Sequence, residues 1–258
     1  MSNRWPESKA MAARLSGLGF VRVELAPEVA STNDQALQAA RQGGPVPAAF
    51  LAQRQRAGRG SRGRRWQSPA GGLWMTLLLP APALRLLPWL ALGTGAAAAA
   101  AICERCGLAA GVKWPNDIMV VGAKLGGVLV EMAAGRAAVG IGINANNDPP
   151  AGVPEAESLA RLTGQPVALD LLAEAVAAGV LGCHQALLEG KWQAIRRKWS
   201  ALDVLAGANA LLETKTGVWQ VKCLGVTERG TLVCEQEGRR KEIRAASSVR
   251  LRALCLPA

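Results

Sequence analysis

The segment that most limits what this chain can become is an uncharged, alanine-rich run from Pro88 to Ile102. Such a run is apolar on every side, so as a helix it has to be covered by other structure. It is shorter than the roughly 20 residues a bilayer crossing needs. It therefore reads as the middle of a buried helix, Leu86 to Cys106. A chain of 258 residues, half of them apolar, has the material to cover it.

The remaining pattern supplies the covering layers. Helical spacing runs from Pro6 to Leu18 and, as one stretch, from Leu169 to Trp199. Asp34 to Arg41 is a further helix, with Ser31, Thr32 and Asn33 as capping choices at its start. Strands are expected at Phe20 to Leu25, Ala48 to Ala52, Leu73 to Leu79, Gly111 to Trp114, Ile118 to Val121, Leu125 to Met132 and Ala137 to Ile143. Gly122-Ala123 reads as a hairpin turn. Hairpins mixed with helices favour an α+β fold, a mixed sheet with flanking helices, over a doubly wound parallel sheet. Composition shifts near Leu205. Five short strands follow (Ala210 to Glu213, Trp219 to Val226, Thr231 to Glu235, Lys241 to Ile243, Val249 to Leu251), divided by turns at Thr216-Gly217, Arg229-Gly230 and Glu237-Gly238. The expected division is a main domain over residues 1–204 and a small β-barrel over 205–258.

Charge narrows the chemistry. The formal net charge is +11, and no acidic residue lies between Asp34 and Glu104, an interval holding eight arginines. Six of these fall between Arg54 and Arg65. Such a field attracts phosphates, nucleic acids or an acidic protein. A single histidine, His184, and no tyrosine leave little for histidine-based hydrolysis or metal binding. His184 reads as a packed or surface residue of a helix. Of six cysteines, only Cys103 and Cys106 have metal-like spacing, and no second pair completes a zinc site. Scattered thiols and the lack of a signal-peptide pattern point to a reducing cytoplasm.

Three motifs carry the functional reading. Gly58-Arg59-Gly60-Ser61-Arg62-Gly63 fits the spacing of a dinucleotide fingerprint, yet no helix begins there and no acid follows at the required distance. What remains is a loop able to wrap amides and guanidinium groups around an anion. Lys113-Trp114-Pro115-Asn116-Asp117-Ile118 combines turn chemistry with two oxygen-bearing side chains, Asn116 and Asp117, able to hold magnesium. Lys124 nearby can meet a carboxylate or an α-phosphate. Val139 to Asn144 is a strand whose glycines imply close approach to its backbone, and Asn144 ends it with a paired donor and acceptor.

In order along the chain, Ser31-Thr32-Asn33, Gln55 to Trp66, Lys113 to Ile118, Lys124 to Glu131 and Gly140 to Asn144 resemble the signatures of the biotin–protein ligases. That resemblance implies a class II synthetase-like catalytic fold followed by an SH3-like barrel. It also implies an ATP-dependent reaction, with Mg-ATP and biotin forming biotinyl-5′-adenylate before transfer to a lysine of a biotin carboxyl carrier protein. Ser31, Thr32, Asn33 and Gln55 would hold biotin's polar groups. Arg59, Gly60, Ser61, Arg62 and Arg64 would enclose the acyl-phosphate. Lys124 would hold carboxylate and phosphate, while Trp66, Asn116 and Asn144 would serve the adenylate. Gly126 and Gly127 would admit the biotin rings, Asn116 and Asp117 the magnesium. Arg59, Lys124 and Asp117 are the expected catalytic residues.

Ser61 departs from the arginine many members carry there, implying looser retention of the adenylate. Only about 30 residues precede Ser31, so a DNA-binding repressor domain is not expected, and neither a nucleic-acid nor a membrane partner is. The expected form is a cytoplasmic monomer or homodimer whose Arg/Gly loop is mobile without ligand. Lipoate–protein ligases and a basic nucleic-acid-binding module stay open as alternatives.

Overall fold

The computed structural model describes residue 5 and residues 7–149, 155–214, 217–244 and 248–251. Its elements in chain order are α1 (Ser8–Gly17), β1 (Arg22–Val29), α2 (Thr32–Arg41), β2 (Ala48–Gln55), β3 (Leu73–Pro80), α3 (Leu87–Cys106), β4 (Ala110–Lys113), β5 (Asp117–Val120), β6 (Ala123–Ala133) and β7 (Arg136–Ile143). Then come α4 (Leu159–Thr163), α5 (Leu169–Leu188), α6 (Trp192–Leu202), β8 (Asn209–Thr214), β9 (Gly217–Val226), β10 (Leu232–Gln236), β11 (Arg239–Ile243) and β12 (Ser248–Leu251). A seven-stranded sheet runs β1-β2-β3-β7-β6-β5-β4, and a five-stranded sheet runs β11-β10-β9-β8-β12. The first sheet is mixed, with β1 parallel to β2 and its other pairs antiparallel.

Strand β3 shows why the sheet is central. Residues 73–79 are all buried, because alternate side chains enter different cores. Leu73, Met75, Leu77 and Leu79 join a large cluster with Trp89, Leu90, Val176, Val180 and Trp199 of α3, α5 and α6. Leu78 faces the other way, into a small cluster with Phe50, Ala138 and the α2 residues Ala36, Leu37 and Ala40. Burial on both faces erases alternation from the sequence, as seen in covered sheets.

The large core continues into the second sheet through Leu205, Ala210, Leu212, Val221, Cys223, Leu232 and Cys234. Two indole donors tie the β9–β10 turn to the main body: Trp89 Nε1 donates to Glu228 O at 2.6 Å, and Trp114 Nε1 to Gly230 O at 2.9 Å.

Several local expectations change. Ser31 makes no side-chain capping bond, and Thr32 and Asn33 lie within α2 with their side chains buried; the polar triplet is used for tertiary bonds described below. The β5–β6 turn is Val121-Gly122 rather than Gly122-Ala123, with φ of 48° and 80°. The helical stretch from Leu169 to Trp199 is two helices, broken where Gly190 adopts φ 72°. The β1 strand starts later and runs further than Phe20 to Leu25, because parallel pairing with β2 carries it to Val29. Short α4 has no counterpart among the elements expected from sequence. Length does not exclude a bilayer crossing for α3 or α5, since both are long and apolar enough; in this fold α3 is a core helix packed against α5 and the sheet. Pro6 and Thr216, at the edges of an expected helix and turn, lie outside the described residues. Cys103 and Cys106 sit in the last turn of α3, and no group of three or more metal-binding side chains occurs among the described residues.

At the junction of the sheets, Asp203 pairs with the edge of β4. Its Oδ1 accepts from Leu205 N at 3.0 Å, while buried Oδ2 has no partner. Burial pushes its carboxyl up to about 6. The native state thus binds this proton more tightly than the unfolded chain does. The associated stability is complete below the ordinary carboxylate range and is lost as pH rises through about 6. Asp203→Asn keeps an acceptor for Leu205 without the charge. It is expected to raise stability near pH 8 by about 1–3 kcal/mol, read by urea unfolding, and to flatten the pH dependence between about pH 4 and 7. Unchanged stability and pH dependence would contradict this reading.

Candidate functional site

A cavity of about 260 Å³ opens on the α2 face of the large sheet. Its floor exists because side chains are missing. Register places Thr76, Gly140 and Leu129 in one row across β3, β7 and β6, and Trp74, Gly142 and Gly127 in the next. A Cβ on Gly140 would lie 2.2 Å from Asn33 Oδ1, and one on Gly142 would lie 2.8 Å from Trp66 Nε1. The strand glycines therefore mark where the Asn33 amide and the Trp66 indole settle onto the backbone.

One end of the cavity is a buried, neutral hydrogen-bonding cluster. Ser31, Thr32 and Asn33 are almost fully buried. Gln55 Oε1 accepts from Thr32 N at 2.8 Å and from Thr32 Oγ1 at 3.1 Å, while its Nε2 donates to Ser68 Oγ at 2.8 Å. The Thr76 hydroxyl lies 2.8 Å from Thr32 Oγ1 and 2.6 Å from Asn33 Oδ1. Asn33 Nδ2 donates to Glu131 Oε2 at 2.9 Å. Side chains held this way present fixed dipoles to whatever enters.

The other end is cationic. Arg59, Arg64, Arg65 and Lys124 line it with Gly60, Ser61 and Trp66. The Arg/Gly segment is folded as a short hairpin: Trp66 N donates to Gly58 O at 2.9 Å, Gly60 N donates to Arg64 O at 2.7 Å, and Ser61–Gly63 form a single tight turn at the tip. Gly58 is required by close packing, since a Cβ there would lie 2.5 Å from Trp66 O. Arg64 folds back so that its guanidinium donates to Ser61 Oγ at 3.3 Å. Burial, then the neighbouring Arg64, lower the Arg62 guanidinium below its ordinary value, the direction expected of a cation crowded by another.

Lys124 Nζ lies 2.5 Å from Asp117 Oδ1 and 5.4 Å from the centre of the Trp66 ring. Lys113 Nζ lies 3.3 Å from Asp117 Oδ2. Both carboxylate oxygens of Asp117 thus face ammonium groups, and Asn116 Nδ2 donates to Val128 O at 2.9 Å. The pair expected to hold magnesium does not fit that task, because Asp117 is committed to two lysines. It positions Lys124 instead.

The cavity is lined by Ser31, Thr32, Asn33, Gln55, Arg59, Gly60, Ser61, Arg64, Trp66, Asn116, Lys124, Gly127 and Asn144 among the residues singled out from sequence. Three lie outside its lining. Arg62 is at the hairpin tip with φ 62°. Asp117 is behind Lys124. Gly126 is in the row that faces the large core, where a Cβ would lie 2.4 Å from Gly142 O; its lack of a side chain serves strand pairing. Sequence reasoning missed Thr76, Ser68, Glu131 and Asn147. Thr76 is a lone hydroxyl in an apolar strand, and that isolation is a usable signal. Asn147, whose Nδ2 donates to Asn144 Oδ1 at 3.2 Å, carries none. The Trp66 indole N–H is buried without a partner. His184 lies away from this cavity, its Nε2 2.8 Å from Pro80 O and its pKa lowered by burial.

Residues 26–148 match the model of the Biotin/lipoate A/B protein ligase family. The biotin–[acetyl-CoA-carboxylase] ligase of Paracoccus denitrificans is 34% identical over 245 residues, covering 84% of this chain and 95% of that protein. The bifunctional ligase/repressor BirA of Bacillus subtilis is 31% identical over 229 residues, covering 84% of this chain and 70% of that one. Among solved structures, the biotin protein ligase of Aquifex aeolicus in complex with biotin and ATP superposes with a TM-score of 0.80 at 27% identity, covering 90% of this chain and 100% of that one.

Proposed function

The chain belongs to the biotin–protein ligase family, and we propose that it joins biotin to the lysine of a biotin carboxyl carrier protein by way of an acyl-adenylate. In the first step a carboxylate oxygen of biotin attacks the α-phosphorus of Mg-ATP and pyrophosphate leaves. In the second the ε-amine of the carrier lysine attacks the acyl carbon and AMP leaves. The observation that carries this reading is the division of one cavity into a neutral, buried hydrogen-bonding end and a cationic end, with Leu129 of the Gly140 row an apolar side chain in the same lining. A molecule with a polar ring system, an aliphatic chain and a terminal carboxylate matches that sequence of environments.

In this reading Ser31, Thr32 and Gln55 orient the polar rings over the Gly140 floor. Lys124, steered by Asp117, meets the carboxylate and the α-phosphate. Arg64 and Arg65 offset charge on the departing pyrophosphate. Trp66 and Asn144 seat the adenosine. The nucleophile of the first step arrives ionised, which suits a cavity with no histidine in its lining. Magnesium enters with ATP as part of the substrate. We further read residues 205–258 as a separate SH3-like barrel, which five antiparallel strands in the order β11-β10-β9-β8-β12 support.

The test is ATP–pyrophosphate exchange by the purified chain with biotin or lipoate, followed by transfer to a carrier domain. Exchange with biotin alone is expected. Exchange with lipoate alone would contradict the reading, as would strong salt-dependent RNA binding without exchange. Ser61 supplies one hydroxyl where a guanidinium would add charge. Ser61→Arg is therefore expected to slow release of the adenylate by about tenfold; identical release rates from the two forms would show that the position does not govern retention.

A further inference from the structure

The six arginines between Arg54 and Arg65 do not stand in equivalent surroundings. Arg59 Nη2 lies 2.8 Å from Asp34 Oδ1 and 2.7 Å from Glu131 Oε2. Among the described ion pairs none involves Arg62, Arg64 or Arg65. The same Glu131 oxygen accepts from Asn33 Nδ2 at 2.9 Å. One carboxylate oxygen on β6 therefore binds the floor of the neutral end of the cavity and the base of the cationic hairpin.

We propose that Glu131 is a positioning residue that couples these two ends, and that Arg59 is the hairpin's anchor rather than one of its phosphate-binding cations. The inference rests on the ligase reading above. Asn33 lies directly on Gly140, so its amide orientation sets the shape of the floor. Arg59 is already neutralised by two carboxylates, which leaves its charge unavailable to an incoming phosphate. Arg64 and Arg65, which enter none of the described ion pairs, then carry the nucleotide's charge. Acid binding at the floor and order in the hairpin draw on one shared acceptor, so disturbing either bond should register first in biotin affinity.

A double-mutant cycle in the exchange assay tests this, with KM for biotin, KM for ATP and kcat measured for the full chain, Glu131→Gln, Arg59→Gln and the double variant. Each single change is expected to raise KM for biotin by about tenfold, with kcat and KM for ATP altered by less than about twofold. The double variant should be no worse than the poorer single one. Glu131→Asp, which keeps the charge, should recover part of the loss. Trypsin cleavage after Arg62, Arg64 and Arg65 in the ligand-free chain should rise equally in both single variants. Multiplying effects, an unchanged KM for biotin, or an Arg59→Gln defect confined to KM for ATP would each overturn the proposal. If Glu131→Gln does not fold, Asp34→Asn opens the clamp from its exposed side and should raise hairpin cleavage, and unchanged cleavage would overturn the proposal. Absence of biotin-dependent exchange by the unaltered chain would remove the ligase reading itself, whereas exchange with independent mutant effects would remove only this coupling.

Discussion

The site depends on two absent side chains in the middle of a buried sheet. Strand β7 is flanked by β3 and β6, and on its α2 face it offers only hydrogens at Gly140 and Gly142. Asn33 and Trp66 come down onto the backbone there. From those two contacts the rest follows. Asn33 can be reached by Thr76 and Glu131, and Thr32 beside it by Gln55. Trp66 closes the base of the Arg/Gly hairpin and lies beside Lys124. Glycine weakens a strand when nothing uses the space it leaves. Here that space receives the Asn33 amide from one side of the cavity and the Trp66 indole from the other.

Electrostatics organises the cationic end by deciding which charges are already compensated. Asp117 restrains Lys113 and Lys124, and Asp34 with Glu131 restrains Arg59. The remaining hairpin arginines are crowded together, and burial, then the neighbouring Arg64, lowers the Arg62 guanidinium below its ordinary value. An anionic ligand relieves that crowding. This arrangement separates positioning from charge stabilisation: acids hold certain cations in place, and uncompensated cations supply the field. A site of this kind requires no histidine, in keeping with the burial of His184 far from the cavity among core residues.

Much of this architecture is legible in the amino-acid sequence. The buried helix, the hairpins, the strand glycines and the Arg/Gly loop all leave local marks, because period, turn chemistry and backbone access are properties of short segments. Other features depend on contacts distant in sequence. Ser31, Thr32 and Asn33 look like capping residues, since their chemistry suits that role; only the register of β3 and β7 turns them inward. Asp117 looks like a metal ligand until Lys113 and Lys124 are seen on both its oxygens. Gly126 and Gly127 are adjacent and alike in sequence, yet pleating sends one to the core and the other to the cavity. The break at Gly190 is visible as a glycine but not as a boundary, because the amphipathic pattern continues across it. Glu131 reads as the polar end of a strand, and its role follows from residues 98 and 72 positions away.

Direct titration tests whether the bare backbone of β7 shapes a cavity for an acyl-adenylate. Calorimetry with a non-hydrolysable analogue of biotinyl-5′-adenylate should find one site per chain. Gly142→Ala places a methyl group against the Trp66 indole and is predicted to weaken that binding by at least about a hundredfold in a chain that still unfolds cooperatively. Equal affinity for the two proteins, or no binding to either, would contradict the account.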